Sequence, residues 1–508
     1  MNTTLKQDRE PLLNKGEKML QLTASDFYTL YRPDECENRV YFRHKGLEEA
    51  PPSPYEEVIR RLGERHESSH LASFPAYTDL RPFALTEREQ QTKREVQKGT
   101  AVIYQGRFRV HHCFGNTECE IIGEPDFLIK ESGNYIIRDS KISRRITEVD
   151  HPEIILQVGL YGWLYEKTFG RGPARLEVHA GTGKIIAVPY DGGASALAVM
   201  EEILALKIMP SEGYSPVGWS KCGGCPFHDR CWKQAEERND CSLVYKVDQG
   251  LARELHRIGI ESFDTLLKSF DDNSLGEFKR PWGTRFQKAG KAASAILLMA
   301  KAMSSKKEIM LERPRIPDSP NYVMFDLEGL PPHLDELEKI YLWGLQVFGE
   351  EPSDFLPAVA GFGDEGDREG WNSFLEASDA IFARYGDIPF VHWHHYERVK
   401  VDEYIKRYGD LDGIAERVKR NLLDLLPVTQ KSIALPLPSY SLKVVEKYIG
   451  FKRTQDEYGG DWAMAKYVEA TELGDSTERE KVIEEILTYN REDLEATWAV
   501  LKWLRSKV

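Results

Sequence analysis

The sequence is bounded first by what it lacks. Its 508 residues contain no run of 18 or more apolar residues, so no membrane-spanning helix is expected. The opening stretch, MNTTLKQDREPLLNKGEKML, has no apolar core of the kind a secretory leader needs, so the expected location is the cytoplasm. No G-x-x-x-x-G-K-[ST] phosphate loop occurs, and the chain is not expected to hydrolyse ATP or unwind a duplex by itself. Seven cysteines are few for this length, and a reducing compartment excludes a disulfide framework. Positive charge is also in deficit: the net charge of −14 on its own argues against a polyanionic partner, which needs local cations. There is no internal repeat and no low-complexity tract.

What is present is ordinary for a globular chain, with 41% hydrophobic and 30% charged residues. The length exceeds one core and predicts several domains. Residues 1–240 alternate short apolar strands with helices and end in a cysteine cluster. Residues 241–315 read as a helical, basic connector. Residues 316–508 follow a Pro-rich polar linker, ERPRIPDSPNY at Glu312–Tyr322, and run from a strand to a long helix. The charge is uneven. Lys279–Lys307 holds eight Lys or Arg and no acid, which is either a solvated helix face or a basic path on an acidic protein.

Two segments of the first part carry chemistry. GEPDFLI at Gly123–Ile129 and YIIRDSKIS at Tyr135–Ser143, separated by the polar KESGN, predict a β-hairpin. Asp139 and Lys141 are two apart and share a face, with Asp126 across the hairpin. Carboxylates crowded on one face repel and resist desolvation. A divalent cation, Mg²⁺ or Mn²⁺, relieves that cost and can hold a phosphate oxygen and a water. Upstream, RRLGERHE places His66 on the inner face of a predicted helix, where an imidazole ligand favours Mn²⁺. Downstream, Gln157 and Tyr161 share one helix face.

Taken in order, His66, the GEPD at Asp126, the D-x-K at Asp139 and Lys141, and the Q-x-x-x-Y at Gln157 and Tyr161 resemble the motifs of RecB-type PD-(D/E)xK nucleases over roughly residues 20–235. The resemblance implies a restriction-endonuclease-like α/β fold. It implies metal ligation by His66, Asp126 and Asp139, catalysis by Lys141, and support of site and DNA by Gln157 and Tyr161. Many members have Glu where this chain has Asp139.

Cys222, Cys225 and Cys231 stand in CGGCPFHDRC, a spacing that suits a zinc or an iron–sulfur centre. A fourth ligand is needed, from His228, Cys241 or the distant Cys36. RecB-type nucleases of the AddB kind hold a [4Fe–4S] cluster with one cysteine before the nuclease core and three after it, so the resemblance implies Cys36 with Cys222, Cys225 and Cys231. Zinc with His228 or Cys36 is the competing reading. Cys113 and Cys119 are expected as small core residues. Val247–Leu267 reads as two helices around Gly259, like half of a helix-hairpin-helix, or as a plain connector.

A second acidic constellation lies in the last part. YVMFDLEG at Tyr322–Gly329 puts Asp326 and Glu328 on one strand face, IYLWGLQVF at Ile340–Phe348 predicts its partner, and Tyr489 and Asp493 are four apart on a final helix over Glu484–Arg505. This D-x-E strand with a Y-x-x-x-D helix resembles the DEDD exonuclease branch of the RNase H-like fold, in which four acids hold two metals. The fourth acid is assigned to Glu397, with Asp424 as the other candidate. The whole chain resembles a prokaryotic RecB-like nuclease family that pairs these two domains. The resemblance implies a metal-dependent deoxyribonuclease of the DNA-repair type. Its partners would be DNA that is single-stranded or has single-stranded ends, and a separate helicase; no membrane is implied. The alternatives are a non-catalytic nucleic-acid-binding protein with one or both folds degenerate, and an RNA-processing exonuclease.

Overall fold

The computed structural model describes residues 19–507 apart from 284, 333, 335, 336 and 456–458. The opening stretch read for a leader therefore lies outside the described residues, save for its last two. The chain forms two compact units, one of residues up to Lys45 with His66–Glu212, the other of Gly46–Arg65 with Gly213 onward.

The first unit is built on a six-stranded mixed sheet in the order Thr78–Asp79, Val102–Tyr104, Phe127–Glu131, Asn134–Ser140, Arg175–His179, Ile185–Val188. Its centre is the hairpin expected from the sequence: Phe127–Glu131 pairs antiparallel with Asn134–Ser140. Ser132 (φ 47°) and Gly133 (φ 85°) form the turn. Two successive positive φ values match the strand twist in a two-residue turn, and glycine supplies one without strain. The apolar centre of the second strand, Tyr135–Ile137, is buried. Helix Pro152–Phe169 begins with Pro in its first turn, where the missing N–H costs nothing. It lays Val158, Tyr161, Leu164 and Tyr165 into a core shared with Leu128, Ile137, Leu176 and Val178. A separate three-stranded sheet, Leu20–Thr23, Thr117–Gly123 and Phe108–Phe114, adds to this core. Cys119 is buried there as expected. Cys113 is instead exposed, because it precedes Phe114 on a strand whose side chains alternate in direction and leaves from the solvent side.

The second unit is built on a five-stranded sheet in the order Leu356–Val359, Lys339–Gly349, Asn321–Leu330, Phe390–His392, Leu422–Asp424. Alternation along Asn321–Leu330 decides everything on it. Val323, Phe325 and Leu327 enter one core with Trp343, Trp371 and Phe374. Tyr322 and Met324 enter another with Leu494, Val500 and Leu501 of helix Ser476–Arg505. Asp326 and Glu328 continue this second face. The helix is started by Asp475, whose side chain accepts from the N–H groups of Thr477 and Glu478.

The connector also belongs to this unit. Helices Gln249–Arg257 and Phe263–Ser269 flank Gly259 (φ 82°), as the sequence predicts. The expected helical character fails at Lys279–Lys288, where Lys279–Trp282 and Arg285–Lys288 form an antiparallel hairpin. Pro281 has no N–H to give a helix, and the Trp-Gly step turns the chain. Helix Ala292–Ser305 follows. No described helix is long and apolar enough to cross a membrane.

Candidate active sites

In the first unit the hairpin delivers its acids to one place. Asp126 precedes the strand Phe127–Glu131, and Asp139 and Lys141 lie at the end of its partner. Asp126 and Asp139 are buried, and Lys141 Nζ stands 2.6 Å from Asp139 Oδ2. That oxygen has no aligned hydrogen bond. Asp126 accepts from the Ser140 amide at 2.7 Å and from Gln105 Nε2 at 2.9 Å. Burial, then the neighbouring Asp139 charge, pushes the Asp126 carboxyl well above the usual range. Burial would lower Lys141, but Asp139 and Asp126 outweigh it and hold the ammonium above its ordinary value. Gln157 Nε2 donates to the Tyr161 hydroxyl at 2.7 Å. The buried Tyr161 is raised by burial and then by Asp139, so this pair borders the acids. Gly123 is required here, because a Cβ would come 2.7 Å from the Tyr161 ring.

Two site features escape the sequence. Glu67 Oε1 accepts from the Tyr104 hydroxyl and from Gln105 Nε2, each at 2.7 Å. Gln105, in the left-handed region at φ 57°, thus bridges Glu67 and Asp126 with one amide group. The Glu67 charge also acts on both Asp126 and Lys141. His66, the expected ligand next to it, is held in a stack. Its ring is parallel to His179 at 4.3 Å, and His70 stacks on His179 at 3.9 Å. His66 Nε2 meets the His179 carbonyl at 3.3 Å, the same carbonyl that accepts from the Lys141 amide. Burial first, then the stacked neighbouring imidazole (His179 for His70, His66 for His179) and Arg138, lower His70 and His179 to about 4, so both are neutral near pH 7.

In the second unit Asp326, Glu328 and Asp493 converge, each offering an oxygen within 4.8 Å of the others. The strand bulges between Glu328 and Gly329, a distortion that re-aims side chains. Asn490, not anticipated from the sequence, donates to Asp326 Oδ2 at 2.7 Å. Burial and then Asp493 push Asp326 well up, and the same two causes push Glu328 up to about 8. Two cations answer this charge. Lys443 Nζ is 3.1 Å from Asp493 Oδ1 and 4.4 Å above the Tyr489 ring. Arg453 pairs with the same oxygen and forks onto Glu446 at 2.7 Å twice. Tyr489 is buried and raised by burial and then Asp493. Glu397 does not join the three acids. It is buried against His392, with Oε2 3.1 Å from Nδ1, and only its field reaches Asp326. Asp424 accepts from the amides of His394 and Leu426 and caps helix Leu425–Ser432.

Around the cysteine cluster, the amide of Cys225 donates to the Cys222 carbonyl at 3.1 Å, closing a tight turn, and Cys231 sits in helix His228–Arg238. The Gly218 amide donates to Cys222 Sγ at 3.3 Å. Cys241 is different: burial pushes its thiol up to about 12, and it points to the Ile260 carbonyl within the apolar core. His228 Nδ1 is 3.0 Å from Asp229 and its ring stacks on Trp232.

Residues 38–232 match the family model described as the PD-(D/E)XK nuclease superfamily, and residues 323–505 match that of the RNase H superfamily. The chain joins one nuclease-family domain of each kind. The PD-(D/E)XK domain carries the Asp126, Asp139 and Lys141 cluster, and the RNase H domain carries Asp326, Glu328 and Asp493. Among solved structures the chain is similar to SSO0001 at 15% identity and a TM-score of 0.25, covering 42% of this chain and 87% of that one. It is also similar to a "Putative exonuclease" from Eubacterium rectale at 17% identity and a TM-score of 0.26, covering 37% and 82%. Likenesses of that extent carry no functional weight. No curated protein matches the chain.

Proposed function

We propose that the chain is a divalent-cation-dependent nuclease acting on DNA that is single-stranded or has single-stranded ends, with a separate helicase as the source of such strands. The observation that carries this reading is the burial of Asp126 and Asp139 together beside Lys141. A donor set dominated by carboxylate oxygens suits Mg²⁺ or Mn²⁺. The cation, when bound, would polarise a phosphate oxygen and acidify a water. Asp126 and Asp139 would hold it, with His66 and Glu67 as the adjacent donors. Lys141, an ammonium in this setting, places positive charge where the phosphate gains negative charge. Gln157 and Tyr161, hydrogen-bonded to each other on helix Pro152–Phe169, would support the site. The test is incubation of labelled single-stranded DNA, and RNA of the same sequence, with Mg²⁺ or Mn²⁺ and with chelator. Metal-dependent product from DNA is expected; no product from either strand overturns the reading.

We further assign Asp326, Glu328 and Asp493 as a second, exonuclease-like centre. One observation favours a non-cleaving role there: Lys443 and Arg453 already neutralise Asp493. Cleavage by an Asp139→Ala chain that is lost on adding Asp326→Ala supports the second centre; no residual cleavage favours binding alone. Cys36, Cys222, Cys225 and Cys231 are proposed to hold a [4Fe–4S] cluster. Support comes from the hydrogen bond that the Gly218 amide donates to the Cys222 sulfur, a contact that suits a thiolate, and from the withdrawal of Cys241 into the core.

A further inference from the structure

The hairpin Lys279–Lys288 is used by neither candidate site, and its composition is unusual. Trp282 is 61% exposed and Phe286 74% exposed, the two most exposed Phe, Tyr or Trp rings among the described residues. Exposed rings set among cations are the two components from which single-strand binding surfaces are built. The register places them on opposite faces of the ribbon, since Trp282 pairs with Arg285 and Pro281 with Phe286. Basic groups surround both. Arg280 lies 4.6 Å from the centre of the Trp282 ring and is fixed by Asp248 at 2.7 Å. Lys288 pairs with Glu277 but stays half exposed. Lys279 and Arg285 have no acidic partner among the described residues. No acid occurs from Lys279 to Lys307.

We propose that this ribbon is a binding element for single-stranded nucleic acid. Bases stack on Trp282 and Phe286, one on each face, while Lys279, Arg285 and Lys288 hold the phosphates. Stacking is sequence-tolerant, because every base has a π-face, and a positively charged track along the backbone completes such a site. A duplex offers no unstacked base to either ring, so the strand is preferred. A second copy of this chain is a poor occupant, because it would bring an equally basic ribbon against this one. The inference rests on the nucleic-acid substrate of the proposed function and adds where a strand is held.

The test uses the whole chain in chelator, so that binding is read without cleavage. The probes are a fluorescein-labelled oligothymidine of about 20 nucleotides and a duplex of the same length, followed by anisotropy. Trp282→Ala/Phe286→Ala is expected to bind the strand about tenfold or more weakly, with a smaller loss on the duplex. Lys279→Ser/Arg285→Ser is expected to weaken both and to reduce the salt slope by about 1 to 2. Both pairs are exposed, and an unchanged melting temperature confirms that the fold is intact. Unchanged strand affinity in the aromatic variant, an equal loss on strand and duplex, or a halved native mass on removing the rings each overturn the proposal. A chain that binds strand through the ribbon but never cleaves overturns the nuclease reading alone. A chain that cleaves, with strand affinity indifferent to the rings, overturns this inference alone.

Discussion

Burial by itself would lower the Lys141 pKa, and Asp139 and then Asp126 more than offset it and hold the ammonium. Protonation here is therefore a property of the cluster. Asp126 is raised for the complementary reason, burial and a neighbouring like charge. Protons therefore compete with a cation for Asp126, so Mn²⁺ binding should weaken as pH falls; calorimetry at a series of pH values checks this, and a pH-independent affinity contradicts it. Glu67 faces the same cluster, and Glu67→Gln is expected to raise the Mn²⁺ concentration for half-maximal cleavage several-fold. No change would reduce Glu67 to an anchor for Tyr104. The shared face of Asp139 and Lys141 was legible because a strand repeats every two residues, and Asp126 because the hairpin sets it across from them; their roles came from the ordered resemblance to RecB-type nucleases. Glu67 was not, because a glutamate on a helix has the pattern of a solvated face. Gln105 was not either, since its bridge depends on a left-handed loop conformation that no spacing encodes.

Gly344 shows how tightly the elements of the second unit fit. It lies opposite Asp326 on the adjacent strand, and a Cβ there would come 1.8 Å from Asn490 Oδ1. Helix Ser476–Arg505 can therefore approach the strand only over a glycine, and that approach brings Asn490 to Asp326. Gly344→Ala is expected to destabilise the fold by about 1 to 3 kcal/mol through overpacking, seen as a lower melting temperature; an unshifted melting curve would contradict this close approach. The strand pair and the final helix were readable from apolar alternation and helical spacing. The fourth acid was not, since Glu397 occupies a plausible position in the chain yet its carboxylate turns to the buried His392. The hairpin at Lys279–Lys288 was missed for another reason: a run of cations carries no periodicity that separates strand from helix.

For the whole molecule, pH and metal content are the accessible variables. His70 and His179 titrate near 4 in the folded chain against about 6.5 when unfolded. The unfolded chain binds more protons between those values, so their contribution to stability is complete above about pH 6.5 and is lost as pH falls towards 4. A His70→Gln/His179→Gln chain should show a flatter fall of melting temperature from pH 6.5 to 4 than the wild type; parallel curves would contradict the neutral stack. The cluster proposal predicts a brown protein with about four irons per chain, lost in Cys225→Ser; zinc instead of iron would reverse it. The most direct measurement is cleavage of labelled single-stranded DNA with Mn²⁺ by the wild type and by Lys141→Ala at equal concentration and equal melting temperature. Loss of rate on the order of 10²- to 10³-fold is expected from removing one charge-stabilising group. A Lys141→Ala chain that cleaves as fast as the wild type would contradict the assignment of Asp126, Asp139 and Lys141 as the active site.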